Sequence, residues 1–284
     1  METLKAARLR RDVVLVDGAD AREYLQSQLT QDIVALDVGE SAWSFLLEPK
    51  AQIVALVRAT RTSDTAIVLD TDPGWGERIR ERIDGFLFRM DVTFATATWD
   101  AVAYRGPGAA HVVATAPVVA PVHWAQVEGL DVVGPDLADP VDVPLVEPSS
   151  YESLRIWAGW PAMGTDIDDA ATPAMTGLVS ETVSFTKGCY TGQEFVARVH
   201  YRDAAPPRRL VQVAFHPCAK VASGDELVVD GQSVGHVTSV ADCQPFALAY
   251  LDRKIEVPAE ITCGGCPATA EALPARQDAS SVHQ

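Results

Sequence analysis

From Glu226 to Val240 the chain reads ELVVDGQSVGHVTSV, two short runs rich in β-branched residues parted by Asp230-Gly231. An Asp-Gly pair between such runs is a strong short-range signal for a two-residue hairpin turn. The same character holds from residue 208 onward, with RRLVQVAF before this stretch and FALAYLD after it. Short antiparallel strands in succession close readily into a small barrel. We place a C-terminal antiparallel β-barrel at 204–273, introduced by the linker AAPP and followed by a tail at 274–284. The last dozen residues are small and polar and are expected to fray.

The first 203 residues mix two periods. DVVLVD at 12–17 reads as a short strand. Asp20 then stands as a helix N-cap with Glu23 as its capping-box partner, and Tyr24, Leu25, Leu29 and Ile33 follow at roughly helical spacing. Segments 42–47, 53–60 and 65–70 read as strands, the last two joined by RTSD. WGERIRERIDGFLF is amphipathic, with Ile79, Ile83 and Phe86 on one face and the arginines on the other. DVTFATAT returns to strand, and prolines cut 101–146 into edge strands and turns. PSSYESLRIWAGW starts a helix capped by Ser149 or Ser150, and 162–176 reads as a polar loop. The fold class is α+β.

The formal net charge of −16 disfavours direct nucleic-acid binding and an anionic membrane surface. No apolar run approaches the roughly 20 residues of a membrane span, and the N-terminus lacks the apolar core of a signal peptide. We read the chain as cytoplasmic. Its five cysteines do not suggest a disulfide framework. Cys263 and Cys266 in CGGC could be a redox dithiol or half a zinc site, but neither a second cysteine pair nor a strand-helix context accompanies them. A structural or incidental role is the expectation.

The chemistry-bearing stretch is FTKGCYTGQEFVARVH, 185–200. A lysine two residues from Cys189 can lower a thiol pKa and enlarge its thiolate fraction. Gly188 and Gly192 suggest a tight turn or a close approach to the backbone. Gln193 and Glu194 add an amide and a carboxylate. On these residues alone a working thiol and a structural loop remain equally open.

KGCYTGQE resembles the signature of the YgfZ family of folate-binding proteins, relatives of the glycine-cleavage T-protein, an aminomethyltransferase. Four further blocks agree in order. VDGADAREYLQSQLTQDI carries Gly18, Asp20, Tyr24, Leu25, Gln26, Thr30 and Asp32; FLLEPKAQIVALV has Ala51 where glycine is usual; LRIWAGWPAMGTDI carries Arg155, Ile156, Gly159, Pro161, Gly164, Asp166 and Ile167; PPRRLV, GHVTSV and ALAYLDR match the C-terminal barrel. The resemblance implies T-protein-like lobes around a central folate channel: two α+β lobes within 1–203, roughly 1–40 with 147–203 and 41–146, then the barrel. It implies tetrahydrofolate as ligand, Cys189 as working thiol with Lys187 as its activator, and Tyr190, Gln193, Glu194, Trp157 and Arg198 as ligand-contacting residues. Its implied partners are iron–sulfur enzymes or assembly proteins, with an indirect effect on tRNA modification. Two departures separate the chain from the aminomethyltransferase. The catalytic carboxylates align with Ala55 and Leu56, which cannot take a proton. The glutamate holding the pterin edge aligns with Trp157, which offers stacking in place of charge-assisted bonds.

Overall fold

The computed structural model describes residues 3–122, 124–201, 205–217, 219–242 and 244–276. In chain order the elements are β1 (Lys5–Asp17), α1 (Ala21–Gln28), β2 (Ser41–Leu47), β3 (Ile53–Arg61), β4 (Ala66–Thr71), α2 (Gly76–Asp84), β5 (Thr93–Arg105), β6 (Val118–Pro121), β7 (Gly129–Gly134) and β8 (Leu145–Val146). There follow α3 (Pro148–Trp157), α4 (Pro173–Thr176), α5 (Val179–Thr182), α6 (Gln193–Tyr201), β9 (Arg208–Phe215), β10 (Glu226–Val229), β11 (Gln232–Val240), β12 (Phe246–Asp252), β13 (Ala259–Cys263) and β14 (Cys266–Glu271). The described residues form two compact units, each gathered from separated stretches: 1–122, 128–146 and 178–197 in the first, 123–127, 147–177 and 198–284 in the second.

The first unit is built on a sheet in the order β2-β3-β4-β1-β5-β7-β6, with β8 beside β1. β1 is longer than its apolar run because KAARLRR also pairs along β5, from Lys5↔Arg105 to Asp17↔Thr93. Its arginines are neutralised by carboxylates on other strands: Arg10 donates to Asp100 at 2.7 Å and Arg11 to Asp70 at 3.0 Å. β5 likewise runs on through 101–105, where edge pieces were expected, and is paired on both sides by β1 and β7. Arg58 on β3 donates twice to Asp70, at 2.9 and 3.1 Å, and once to Asp131 on β7 at 2.8 Å. β3 and β7 are not neighbours in the sheet, so this last bond requires the sheet to curl. Burial alone would raise the Asp131 carboxyl, but Arg105 and Arg58 overcome it and hold Asp131 below the ordinary carboxylate range.

Two helix expectations need correction. Asp20 flanks α1 but makes no side-chain cap bond; its carboxylate accepts the Asp91 amide at 2.8 Å, so the capping box does not form. The helix ends at Gln28, although Leu29 and Ile33 are buried beyond it. α2 buries Ile79 and Ile83 as expected, but Phe86 lies past its end and is half exposed. Arg82 turns inward instead and donates to the Leu47 carbonyl at 2.7 Å. The absent N-terminal cap of α2 is supplied by Asp12 of β1, whose Oδ2 accepts the amides of Gly74, Trp75 and Gly76 at 2.8–3.0 Å.

The second unit contains a closed barrel, β10-β11-β12-β9-β14-β13. Val211, Val213, Leu227, Val237, Ala249, Leu251 and Ile261 are among the residues filling it. The Asp230-Gly231 turn joins β10 to β11 as the sequence predicts. β11 passes β12 closely at Gly235, where a Cβ would stand 2.0 Å from the Tyr250 carbonyl oxygen. α3 begins with Pro148 at its first turn after Glu147, so neither Ser149 nor Ser150 is the cap. Arg155 and Asp166 explain most of the LRIWAGWPAMGTDI block. Asp166 is fully buried, and it accepts Arg155 Nη1 at 2.7 Å, the Ala162 amide at 2.9 Å and hydroxyls from Thr238 and Ser239 of β11. Leu273 fills the space left by Gly159 and Gly177, and Arg276 donates to both their carbonyls at 2.8 and 2.7 Å. Residues 273–276 are therefore fastened where fraying was expected, and 277–284 lie outside the described residues.

Candidate functional site: an exposed thiol on a lysine-fastened loop

The first unit carries the KGCYTGQE loop between α5 and α6. Helix α1 ends with carbonyls that no helical amide reaches, and its last turn holds no basic residue. The positive charge that a helix C-terminus favours comes from far along the chain. Lys187 Nζ donates to the carbonyls of Gln26, Leu29 and Gln31 at 2.6, 2.7 and 2.8 Å. An ammonium has three protons, and here each meets a carbonyl oxygen. The same nitrogen lies 5.3 Å from the centre of the Tyr190 ring.

The turn after α1 is shaped to present those carbonyls. Gln26 Oε1 accepts the Ile33 amide at 2.7 Å, and its Nε2 donates to Asp32 at 3.0 Å. Buried Thr30 donates to the Thr182 carbonyl at 2.5 Å and accepts the Phe45 amide at 2.9 Å. Two backbone bonds tie down the loop itself, Ser184 N–H to Thr30 at 3.0 Å and Thr191 N–H to Ser27 at 3.2 Å. Gly192 adopts φ 85°, and a Cβ there would meet the Glu48 carbonyl at 3.0 Å. Gly188 is different: its φ is not positive and nothing lies within 4 Å of a Cβ position.

Electrostatics divide the loop's side chains. Burial pushes the Lys187 ammonium down to about 8, against a smaller upward pull from Asp32. The three carbonyls favour the charged form, since a neutral amine has only two protons to give. Burial pushes the Tyr190 phenol up to about 12, so it stays neutral. Cys189 is exposed, one residue from buried Tyr190 and two from buried Lys187. Gln193 opens α6 half-buried, and Glu194 beside it is exposed. These five residues belong to the first unit; Trp157, at the end of α3, and Arg198, in the last turn of α6, are grouped with the second. Trp157 is 38% exposed.

Ala55 and Leu56 of β3, which the sequence resemblance sets opposite the aminomethyltransferase carboxylates, are both buried. Gln31, Ser27 and the Leu29 carbonyl were not expected to serve the loop. The readable hint was the spacing of Gln26, Thr30 and Asp32, whose side chains shape the turn. Among the described residues no cluster of three or more His, Cys, Asp or Glu could hold a metal ion, and no helix is long and apolar enough to cross a membrane. Cys218 and Cys243 lie outside the described residues.

The overall fold is that of the T-protein aminomethyltransferases. The crystal structure of the glycine cleavage system aminomethyltransferase T from Bartonella henselae superposes with a TM-score of 0.81 at 20% identity, covering 95% of this chain and 86% of that one. Residues 208–275 match the family model described as the CAF17 C-terminal beta-barrel domain. A tRNA-modifying protein YgfZ of Vibrio vulnificus is 25% identical over 206 residues, 67% of this chain and 64% of its own length. An uncharacterized protein of Haemophilus influenzae is 25% identical over 242 residues, 81% of each chain. The chain is thus similar to the CAF17 family over its C-terminal barrel and to YgfZ proteins over two thirds or more of its length, and it shares the aminomethyltransferase fold.

Proposed function

We propose that this chain is a cytoplasmic, folate-binding accessory protein that supports assembly or repair of iron–sulfur clusters, and through an iron–sulfur client affects tRNA modification. The observation that carries the proposal is the exposed Cys189 thiol set between two buried residues, with Lys187 fastened to three carbonyls. A thiol meant to meet a partner or a ligand must be accessible and held in a fixed place. Lys187 fastens the loop that carries the sulfur. A single thiolate does not hold a cluster, which takes four cysteines as a rule; Cys189 therefore acts on a cluster or sulfur species shared with a client. The names of the Vibrio relatives favour a connection to tRNA modification.

The donor set suits tetrahydrofolate as a bound ligand more than as a reacting one. Exposed Trp157 offers a flat face on which a pterin can stack. Ala55 and Leu56 supply no acid or base for one-carbon transfer. The test is complementation of cells lacking the protein, with thiomethylated tRNA nucleosides and an iron–sulfur enzyme activity as readouts. Cys189→Ser is expected to lose both at normal protein level. Full rescue by Cys189→Ser would sink the thiol role and leave a folate-binding scaffold. Calorimetry with tetrahydrofolate tests the ligand, and Trp157→Ala is expected to weaken binding.

A further inference from the structure

Cys263 and Cys266 flank a two-residue turn of the barrel. They are paired directly across β13 and β14, Cys263↔Cys266. The turn between them is Gly264-Gly265, with φ 56° and 74°, the two positive values that a type I′ hairpin turn requires. Residues opposite one another in a ladder place their side chains on the same face of the sheet. The Cα atoms of such a hydrogen-bonded pair stand about 5.5 Å apart, inside the window of about 4.4–6.8 Å that a disulfide spans. Neither cysteine is bonded to another.

The two thiols differ in access. Cys263 is fully buried among the barrel's core residues, while Cys266 is half-buried at the edge of the turn. The turn rests on the loop before β10: a Cβ on Gly264 would lie 2.9 Å from the Lys220 carbonyl and 3.1 Å from the Asp225 carboxylate. Backing of this kind holds the hairpin end in place and keeps Cys263 opposite Cys266.

We propose that Cys263 and Cys266 are a reversible dithiol–disulfide pair that responds to small-molecule disulfides of the glutathione type. Cys266 as thiolate attacks one sulfur of the oxidised reagent, forming a protein–reagent mixed disulfide and releasing the first reagent thiolate. Cys263 loses its proton and attacks the Cys266 sulfur, and the second reagent thiolate leaves. The protein is oxidised by two electrons, the reagent is reduced to two thiols, and the two protein protons end on them. Burial, the Asp225 carboxylate and Cys266 push the Cys263 thiol up to about 11, so the second attack is the slow step and the mixed disulfide precedes the bridge. Cross-strand bridges at hydrogen-bonded positions are strained, and strain makes a disulfide easier to reduce.

The sequence makes the test direct. Trypsin cleavage after Lys254 and Arg276 puts both cysteines, and no other, in the peptide 255–276. The intact protein is incubated with oxidised glutathione, alkylated, digested and weighed. The expected product is peptide 255–276 lighter by two hydrogens and untagged, preceded by a glutathione adduct and restored to two tags by excess reduced glutathione. Cys263→Ser is expected to stop at the adduct. The inference is overturned if wild type keeps two alkyl tags, stops at the same adduct as Cys263→Ser, or forms a bridge that reduced glutathione does not open.

Discussion

Replacing Lys187 with methionine keeps an unbranched side chain, one atom shorter, and removes its charge and three protons. The carbonyls of Gln26, Leu29 and Gln31 then lose donors now at 2.6–2.8 Å. A buried acceptor left without a partner costs about 1–3 kcal/mol. The bond to Leu29 is buried, so that carbonyl carries the full cost; the other two are part-buried and recover some water. Relief of the ammonium's desolvation offsets part of the sum, which leaves a net loss of about 2–4 kcal/mol. Urea unfolding of wild type and Lys187→Met measures it. Hydrogen exchange localises it, because the Ser184 and Thr191 amides, bonded to Thr30 and Ser27, are expected to exchange faster in the variant. A loss under about 0.5 kcal/mol, the range of ordinary surface substitutions, with both amides unchanged would refute the fastening role.

Three further outcomes are expected. Lys187 titrates at about 8 in the folded chain against an ordinary 10.5. Between those values the unfolded chain holds the proton and the folded one does not, so the stability of wild type relative to Lys187→Met should rise from pH about 8 to about 10.5 and stay flat below; urea midpoints across that range that fall or do not change contradict it. Asp166→Asn leaves Arg155 only the half-exposed Glu152 carboxylate at 2.8 Å and should cost up to about 3–5 kcal/mol, a figure that unfolding within about 0.5 kcal/mol of wild type rules out. Gly235→Ala drives a methyl into the Tyr250 carbonyl, a backbone atom that cannot swing aside, and should lower stability by at least about 2 kcal/mol; an unchanged melting temperature is the contrary result.

What the sequence revealed follows the range of the forces involved. The β10–β11 hairpin was legible because its Asp-Gly turn and β-branched flanks act locally. The β13–β14 hairpin is less legible: AEITCGGCPATAE is poor in β-branched residues, and its Gly-Gly turn sits inside a Cys-x-x-Cys spacing that reads equally as chemistry. The charged half of β1 looked unlike a strand because Arg10 and Arg11 find their carboxylates on β5 and β4, some 59–90 positions away. Asp20 and Ser149 fit local capping rules, but Asp91 takes the first and Pro148 pre-empts the second. The loop's importance was visible in KGCYTGQE. The three carbonyls around Lys187 were not, since a motif does not record partners 156–161 residues distant.

The fastening of α1 by Lys187 also bears on how the chain can be made and divided. Residues 178–197 complete the first unit, yet 147–177, which belong to the second, precede them. On the ribosome, the curled sheet and α1 emerge long before the ammonium that closes the helix end. A fragment stopping after β8 would have every strand of that sheet and still lack Lys187. The two units are interleaved in the gene, and no single cut yields both intact.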